Sequence, residues 1–399
     1  MRNLSIVPSL NCPAKCDYCF GPHENGSLMT VEMIQAIACW QKAIGITRDL
    51  HITFHGGEPL TAPAKFYRVA MPLLRKYLSP TQLHFHVQSN LWLLTNELCD
   101  IFSSHNVSIG TSLDGTEHIN DAQRSSGYFQ RTMEGIELAR YHGLVVGCVC
   151  TFTNQSMLQA EEIFDFFVSN KLPFTIQPAL RSLRNPRADW WQLSPEAHAA
   201  LLKHMLELYL DNLDKIHIHT LDMFCQSISA QKGGLCTLSN CLGNYLAVGP
   251  IGDIYPCQRF IGMTDYCMGN VYDCPSMEML SRSSVWIMFK DRQDHINEAC
   301  EGCPNLKFCR GGCPYDVLAA NGGTFEHTLR DPQCHAYQDI FAHIVDMAIK
   351  EVFSDKNMSC VIDHVDSDAR LLRSGRLLSI MSDKCLFQPI TGDCTSCPD

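Results

Sequence analysis

Cys12, Cys16 and Cys19 lie in the eight-residue string Cys12-Pro-Ala-Lys-Cys16-Asp-Tyr18-Cys19, a C-x3-C-x2-C spacing with an aromatic residue before the last thiol. Three thiolates can hold three irons of a cubane [4Fe–4S] cluster and leave the fourth iron without a protein ligand. A structural zinc site closes with four ligands, as does an electron-transfer cluster. An iron left open can instead bind an external molecule. Zinc, or thiols with no ligand role, are the alternatives for the triplet taken alone.

Composition bears on that choice. The chain carries 22 cysteines in 399 residues, and no basic stretch followed by an apolar run marks its N-terminus as a secretory signal. Such usage points to a reducing, cytoplasmic setting and to metal ligation rather than disulfides. No apolar run approaches 18 residues, so no membrane partner is expected. A net charge of −11 with no basic stripe argues against nucleic acid as a partner.

Apolar periodicity places strands at Leu4–Val7, Ile52–Phe54, Leu83–Val87, Val107–Ser112, Leu144–Thr151 and Pro173–Gln177. Between them lie helix-length segments near Thr30–Ile44, Ala64–Leu78, Thr95–His105, Phe129–His142 and Met157–Asn170, with Ser194–Leu213 after the last strand. Six β–α units in succession imply an α/β fold with a parallel sheet, whose sites fall at the carboxyl ends of the strands. From about Leu221 the pattern becomes loop-rich, with a hairpin around Pro250–Asp253 and a helix at Cys334–Val352. We therefore expect a barrel-like domain over residues 1–220, a second domain with its following helix over 221–353, and a cysteine-containing tail over 354–399.

Polar motifs sit at the expected strand ends. His55-Gly56-Gly57-Glu58-Pro59 follows Ile52–Phe54, Gln88-Ser89-Asn90 ends the third strand, and Gly110-Thr-Ser112-Leu-Asp114-Gly115 ends the fourth. Asn120-Asp121-Ala-Gln-Arg124 comes next. In this order, and with the triplet, the set resembles the radical S-adenosylmethionine (SAM) superfamily. That resemblance implies a partial (β/α)6 barrel, with SAM chelating the open iron of the Cys12/Cys16/Cys19 cluster. It implies Tyr18 beside the adenine and Gly56, Gly57 and Glu58 at the methionine amino group, where the acid would be a charge-assisted partner. Gln88, Asn90, Ser112 and Asp114 would hold the ribose and methionine portions, and Arg124, or else Arg131, the carboxylate.

The second half adds Cys241, then Gly252 and Cys257 in a C-x10-G-x4-C spacing, then Cys300-x2-Cys303-x5-Cys309-x3-Cys313, and finally Cys334. A zinc ribbon would account for the central four but not for the others. This spacing resembles the seven-cysteine SPASM motif, with Cys236 as an eighth thiol. The resemblance implies a loop-rich SPASM domain with two auxiliary [4Fe–4S] clusters, the first on Cys236, Cys241, Cys257 and Cys313 and the second on Cys300, Cys303, Cys309 and Cys334. Three [4Fe–4S] clusters and SAM are then the cofactors.

Radical SAM enzymes cleave SAM reductively and abstract a hydrogen atom from the substrate. Within the SPASM branch, sulfatase-maturing enzymes carry an aspartate base directly after the cysteine matching Cys257, and here that residue is Gln258. The run from Gly252 to Val271 instead looks like the maturases of ribosomally made peptides, which install thioether or other side-chain cross-links or epimerise residues. Many such maturases begin with a winged-helix module that grips the leader peptide, whereas this sequence enters its first strand by Leu4, so leader recognition would need a separate partner protein, the SPASM face or the C-terminal tail. A flavodoxin or ferredoxin is the expected electron donor. The alternatives are a small-molecule dehydrogenase, a formylglycine-forming sulfatase maturase, and a non-catalytic iron–sulfur carrier. No general base is identifiable. Cys148 and Cys150 alternate on a strand and either line the cavity or act as small buried hydrophobes, the commoner case, and His84 and His86 either face substrate or are satisfied barrel residues. Cys385, Cys394 and Cys397 in the tail are bystanders, packing residues, or a metal-binding or substrate-like segment.

Overall fold

The computed structural model describes residues 2–22, 24, 26–45, 49–185, 190–326, 328–354, 373 and 376–382. Six parallel strands, β1 (Arg2–Ser9), β2 (Leu50–Gly56), β3 (Leu83–Gln88), β4 (Ser108–Ser112), β5 (Val146–Phe152) and β6 (Phe174–Pro178), lie in sequential order in one sheet. Between and after them run helices α1 (Val31–Ala43), α2 (Ala64–Leu78), α3 (Asn96–Ser104), α4 (Glu117–Arg124), α5 (Tyr128–Tyr141), α6 (Ala160–Ser169) and α7 (Pro195–Asp211). The starts of α1, α3 and α7 are fixed by Thr30, Thr95 and Ser194, whose side chains accept the N–H groups of Met33, Leu98 and Ala197.

One face of the sheet is apolar. Leu4, Ile6, Ile52, Phe54, Phe85, Val87, Ile109 and Ile176 are buried in a single core with Ile34 and Ile37 of α1, Phe66 and Met71 of α2, Phe102 of α3 and Phe167 of α6. Each such side chain contributes about 1.5–3 kcal/mol relative to exposure. The opposite face is polar and only partly buried. Ser5, Thr53, His86 and Ser108 stand abreast there on four neighbouring strands, because the register pairs Ser5 with Thr53, Thr53 with His86 and His86 with Ser108.

Three features differ from the sequence reading. First, α4 was not visible as a helix, because the residues it buries are Ile119 and the polar Asn120, Gln123 and Arg124. Second, the stretch after Leu221 does not begin as loop: α8 (His219–Ala230) runs through it, buried continuously from Thr220 to Ser227 and so without the polar face that periodicity needs. Helix α8 also passes through positions 220 and 221, where the sequence reading divides the chain. Third, the expected hairpin, β7 (Tyr245–Val248) and β8 (Asp253–Tyr255), joins the main sheet. Strand β7 lies parallel to β1, with Ala247 opposite Ser5, and β9 (Gly269–Asn270) completes an order of β6-β5-β4-β3-β2-β1-β7-β8-β9. The helix Cys334–Ser354 packs on α7 and α8. Among the described residues no helix is long and apolar enough to cross a membrane.

Candidate functional site

The loop after β1 carries Cys12, Cys16 and Cys19, and the end of β2 clasps it. Gly57 N–H donates to Ser9 O at 3.1 Å and Glu58 N–H to Asn11 O at 2.7 Å. A Cβ on Gly57 would lie 2.4 Å from Leu10 O, and Gly56 adopts φ +130 with Ser9 O 2.5 Å from where its Cβ would be. Only glycine permits that approach.

Each thiol of the triplet faces an N–H donor. Gly21 N–H points at Cys19 Sγ (3.2 Å), Asn90 Nδ2 at Cys12 Sγ (3.8 Å) and Arg124 Nη1 at Cys16 Sγ (3.8 Å). Burial nevertheless pushes the Cys12 thiol up to about 12 and the Cys16 thiol up to about 11. Thiols this hard to ionise become thiolates when a metal supplies the compensating charge. With donors already aimed at the sulfurs, the loop fits a thiolate-bound cluster.

Two of the acids expected at SAM have several partners within the protein. Glu58, expected as a partner for an ammonium, is 1% exposed and turned inward: it accepts from Leu60 N–H (2.8 Å), Ser89 Oγ (2.7 Å) and Asn90 N–H (2.8 Å). It therefore ties the β2 end to the β3 end that carries Asn90, and burial pushes its carboxyl up to about 7. Asp114 is fully buried and accepts from Arg124 Nε (2.6 Å) and Nη2 (2.7 Å), Gln123 Nε2 (2.6 Å), Thr151 N–H (2.8 Å) and the Tyr18 hydroxyl. Arg124, expected at the SAM carboxylate, thus has two of its nitrogens committed to Asp114 and the third turned to Cys16. Arg131, the other candidate, lies over the Trp92 ring at 4.9 Å. Tyr18 meets Trp191 edge-on at 6.1 Å, an aromatic corner beside the triplet. Gln88 and Ser112 face each other across β3 and β4, with Gln88 Nε2 3.4 Å from Ser112 Oγ. Sequence reasoning missed Gln123, Thr151 and Trp191, whose roles depend on contacts between strands and loops far apart in the chain.

The second set of cysteines falls into two groups. Cys236 neighbours Cys241 and Cys257, and Cys313 neighbours Cys236 and Cys241, near enough that a thiolate on one would oppose ionisation of the next. Cys300, Cys303, Cys309 and Cys334 line one largely enclosed cavity of about 20 Å³, together with Arg330, Asp331 and Tyr337. Burial pushes the Cys257 and Cys309 thiols up to about 12. Four thiols that line one cavity without converging on a single point suit a polynuclear cluster better than zinc, which draws its sulfurs to about 2.3 Å from one point. Among the described residues no three His, Cys, Asp or Glu side chains converge as ligands of a single ion do.

A short strap after Cys257 joins the two regions. Ser5 Oγ donates to Gln258 Oε1 at 2.8 Å, so Gln258 lies on the polar face of β1. Arg259 pairs with Asp316 at 2.5 Å and stands over Phe20, the residue after Cys19. Ile261 O accepts from Arg184 in the loop after β6. Nothing in the local sequence signals these contacts.

Cys148 and Cys150 are buried on the apolar face of β5, while Val149 and Thr151 are the partly exposed alternates, so the two thiols act as core residues. His86 Nε2 lies 3.0 Å from His51 Nδ1, and His51 stacks on His84 at 4.5 Å, so these imidazoles partner one another. Cys385, Cys394 and Cys397 lie outside the described residues.

A family model of the radical SAM superfamily matches residues 6–167, and one of the SPASM iron–sulfur cluster-binding domain matches residues 236–304. The chain belongs to the radical SAM superfamily. A [4Fe–4S] cluster and SAM are accordingly its cofactors, with further iron–sulfur clusters in the SPASM domain. An uncharacterized protein of Methanothermobacter thermautotrophicus is 39% identical over 231 residues, 58% of this chain and 88% of that protein. The serine-type anaerobic sulfatase-maturating enzyme of Bacteroides thetaiotaomicron is 24% identical over 331 residues, 76% of this chain and 78% of its own. Among solved structures, native anSMEcpe with bound AdoMet and Cp18Cys peptide superposes with a TM-score of 0.77 at 21% identity, covering 88% of this chain and 99% of that one. Streptococcus suis SuiB bound to its precursor peptide SuiA gives 0.59 at 18%, covering 79% and 72%. The shared fold is therefore the partial radical SAM barrel followed by a SPASM domain.

Proposed function

We propose that this radical SAM enzyme oxidatively modifies a ribosomally made peptide, forming a thioether or other side-chain cross-link, and that it holds three [4Fe–4S] clusters. The ligands would be Cys12, Cys16 and Cys19 for the SAM cluster, Cys236, Cys241, Cys257 and Cys313 for the first auxiliary cluster, and Cys300, Cys303, Cys309 and Cys334 for the second. When bound, the first cluster and SAM supply a 5′-deoxyadenosyl radical by one-electron cleavage. The chain's own part is to position one C–H bond and exclude other hydrogen donors. Tyr18, Gly56, Gly57, Gln88, Asn90 and Ser112 would line the SAM site, and Arg124 would stabilise it from beneath through Asp114. A flavodoxin or ferredoxin would supply the electron.

The observation that carries this reading is Gln258. Sulfatase-maturing enzymes place an aspartate base at that position, and an amide hydrogen-bonded to Ser5 cannot take up the proton. Peptides bound by the structural neighbours SuiB and anSMEcpe make an extended substrate a natural fit for this fold. The likeness to sulfatase-maturating enzymes keeps formylglycine formation as the second reading.

The test is anaerobic reconstitution with iron and sulfide counting, then SAM and dithionite. About twelve irons per chain and release of 5′-deoxyadenosine are expected. Mass spectrometry then compares a Cys-containing peptide encoded beside the gene with a sulfatase-derived peptide. Hydrogen loss in the former without an aldehyde supports the proposal; an aldehyde on the latter replaces it with the second reading.

A further inference from the structure

The Arg259–Asp316 pair is hard to explain by stability. Arg259 is 24% exposed and Asp316 4% exposed, and a buried ion pair gains little against apolar residues of the same volume. Its surroundings are more telling. Arg259 Nη1 lies 2.5 Å from Asp316 Oδ1 and points at Cys313 Sγ at 3.9 Å. The same guanidinium stands over Tyr315 at 4.4 Å and over Phe20 at 5.2 Å. Phe20 follows Cys19, and Arg259 follows Cys257 by two residues. One cation thus touches a thiol of the first auxiliary group and the residue beside a thiol of the SAM triplet.

We propose that Arg259, oriented by Asp316, is a positioning residue that raises the reduction potential of the first auxiliary cluster and packs that cluster's ligand loop against the SAM-cluster loop. The inference rests on reading Cys257 and Cys313 as ligands of that cluster. Gaining one electron adds one negative charge to an iron–sulfur cluster, and a nearby cation or an N–H donor to its sulfur favours that state. Asp316 opposes the effect in part while fixing the fork of the guanidinium. The two residues therefore act on the potential with opposite signs, which a purely structural pair does not do.

The experiment is an anaerobic redox titration followed by electron paramagnetic resonance, with dithionite as the electron source. It is run on the full reconstituted chain, and on the same chain with Cys12→Ala, Cys16→Ala and Cys19→Ala so that only auxiliary signals remain. Iron is counted in every sample. We expect Arg259→Met to lower the reduced-to-oxidised ratio of one auxiliary signal at least tenfold at fixed potential, about 59 mV for one electron. Asp316→Asn should shift the same signal the other way, and Arg259→Lys should recover part of the loss. Unchanged potentials in variants that keep their iron, or shifts of the same sign in Arg259→Met and Asp316→Asn, overturn the inference while leaving the enzyme class intact. Absence of auxiliary iron in the parent chain overturns the ligand reading beneath it. If Arg259→Met fails to bind iron, the Lys and Asn variants decide.

Discussion

Replacing Asp114 with Ala removes the acceptor that organises the SAM-cluster side of the sheet. Its two oxygens receive Arg124 Nε at 2.6 Å and Nη2 at 2.7 Å, Gln123 Nε2 at 2.6 Å, Thr151 N–H at 2.8 Å and the Tyr18 hydroxyl. Arg124 is only 5% exposed, so the variant leaves a guanidinium without a counter-ion away from bulk water. Breaking a buried pair on one side costs about 3–5 kcal/mol. Each stranded neutral donor adds to that, up to about 1–3 kcal/mol where no water replaces the lost oxygen. The expected loss is therefore at least about 3 kcal/mol, more than a hundredfold in the folded-to-unfolded ratio. Urea unfolding under anaerobic conditions measures it as a fall in midpoint at constant slope. The double variant Asp114→Ala with Arg124→Met should recover much of the loss, because no unpaired charge remains buried. A fall of less than about 1 kcal/mol for Asp114→Ala, or a double variant less stable than the single one, would refute the argument that the ion pair organises this site.

Gly57→Ala should abolish 5′-deoxyadenosine formation while auxiliary iron stays bound, since the added Cβ would lie 2.4 Å from Leu10 O and push the cysteine loop off the β2 end. Cys16→Ala should likewise stop SAM cleavage with most iron retained, and undiminished cleavage would contradict the ligand assignment. Burial and neighbouring imidazoles lower His86 to about 4, so the unfolded chain binds the extra proton between pH 6.5 and 4 and stability falls as pH drops through that window. His86→Gln should flatten the stability slope between pH 6 and 5 by about 1 kcal/mol per pH unit, read from urea midpoints. Gln258→Asp should not by itself give an aldehyde product on a sulfatase-derived peptide, because Ser5 holds residue 258 on the β1 face and a base must also be aimed; mass spectrometry of the treated peptide checks this.

The β–α alternation was legible because the strands bury an apolar face and because α1, α3 and α7 begin at a side-chain cap, signals that occupy a few consecutive residues. The cysteine groups were legible for the same reason, being encoded as spacing. What escaped was polar and non-local. Glu58 reads as a free acid after two glycines, yet its partners come from Ser89 and Asn90 at the end of the next strand. Helix α4 buries Asn120, Gln123 and Arg124, so a search for an apolar stripe passes over it. Gln258 reads as the absence of a base. That it reaches Ser5, 253 positions away, follows only from the pairing of β7 with β1.

That pairing also decides how the two cofactor-bearing regions are related. Two domains joined by a modest interface are expected to move relative to one another. Here the SPASM hairpin is hydrogen-bonded into the sheet, with Asn3 to Ile6 of β1 opposite Tyr245 to Val248 of β7. From β8 the chain passes Cys257 and climbs the polar face of β1: Gln258 meets Ser5, and a Cβ on Gly262 would lie 3.7 Å from Leu10 and 3.8 Å from Pro22. The loop holding Cys12, Cys16 and Cys19 begins just beyond Leu10. The distance between the SAM triplet and the first auxiliary group is therefore set by backbone pairing and a five-residue strap, both of which resist change. Such a pairing suits transfer of an electron between fixed sites better than a hinge that opens for substrate, and under the proposed function the peptide would then enter past the loops after β5 and β6, where Leu158 and Trp190 are exposed.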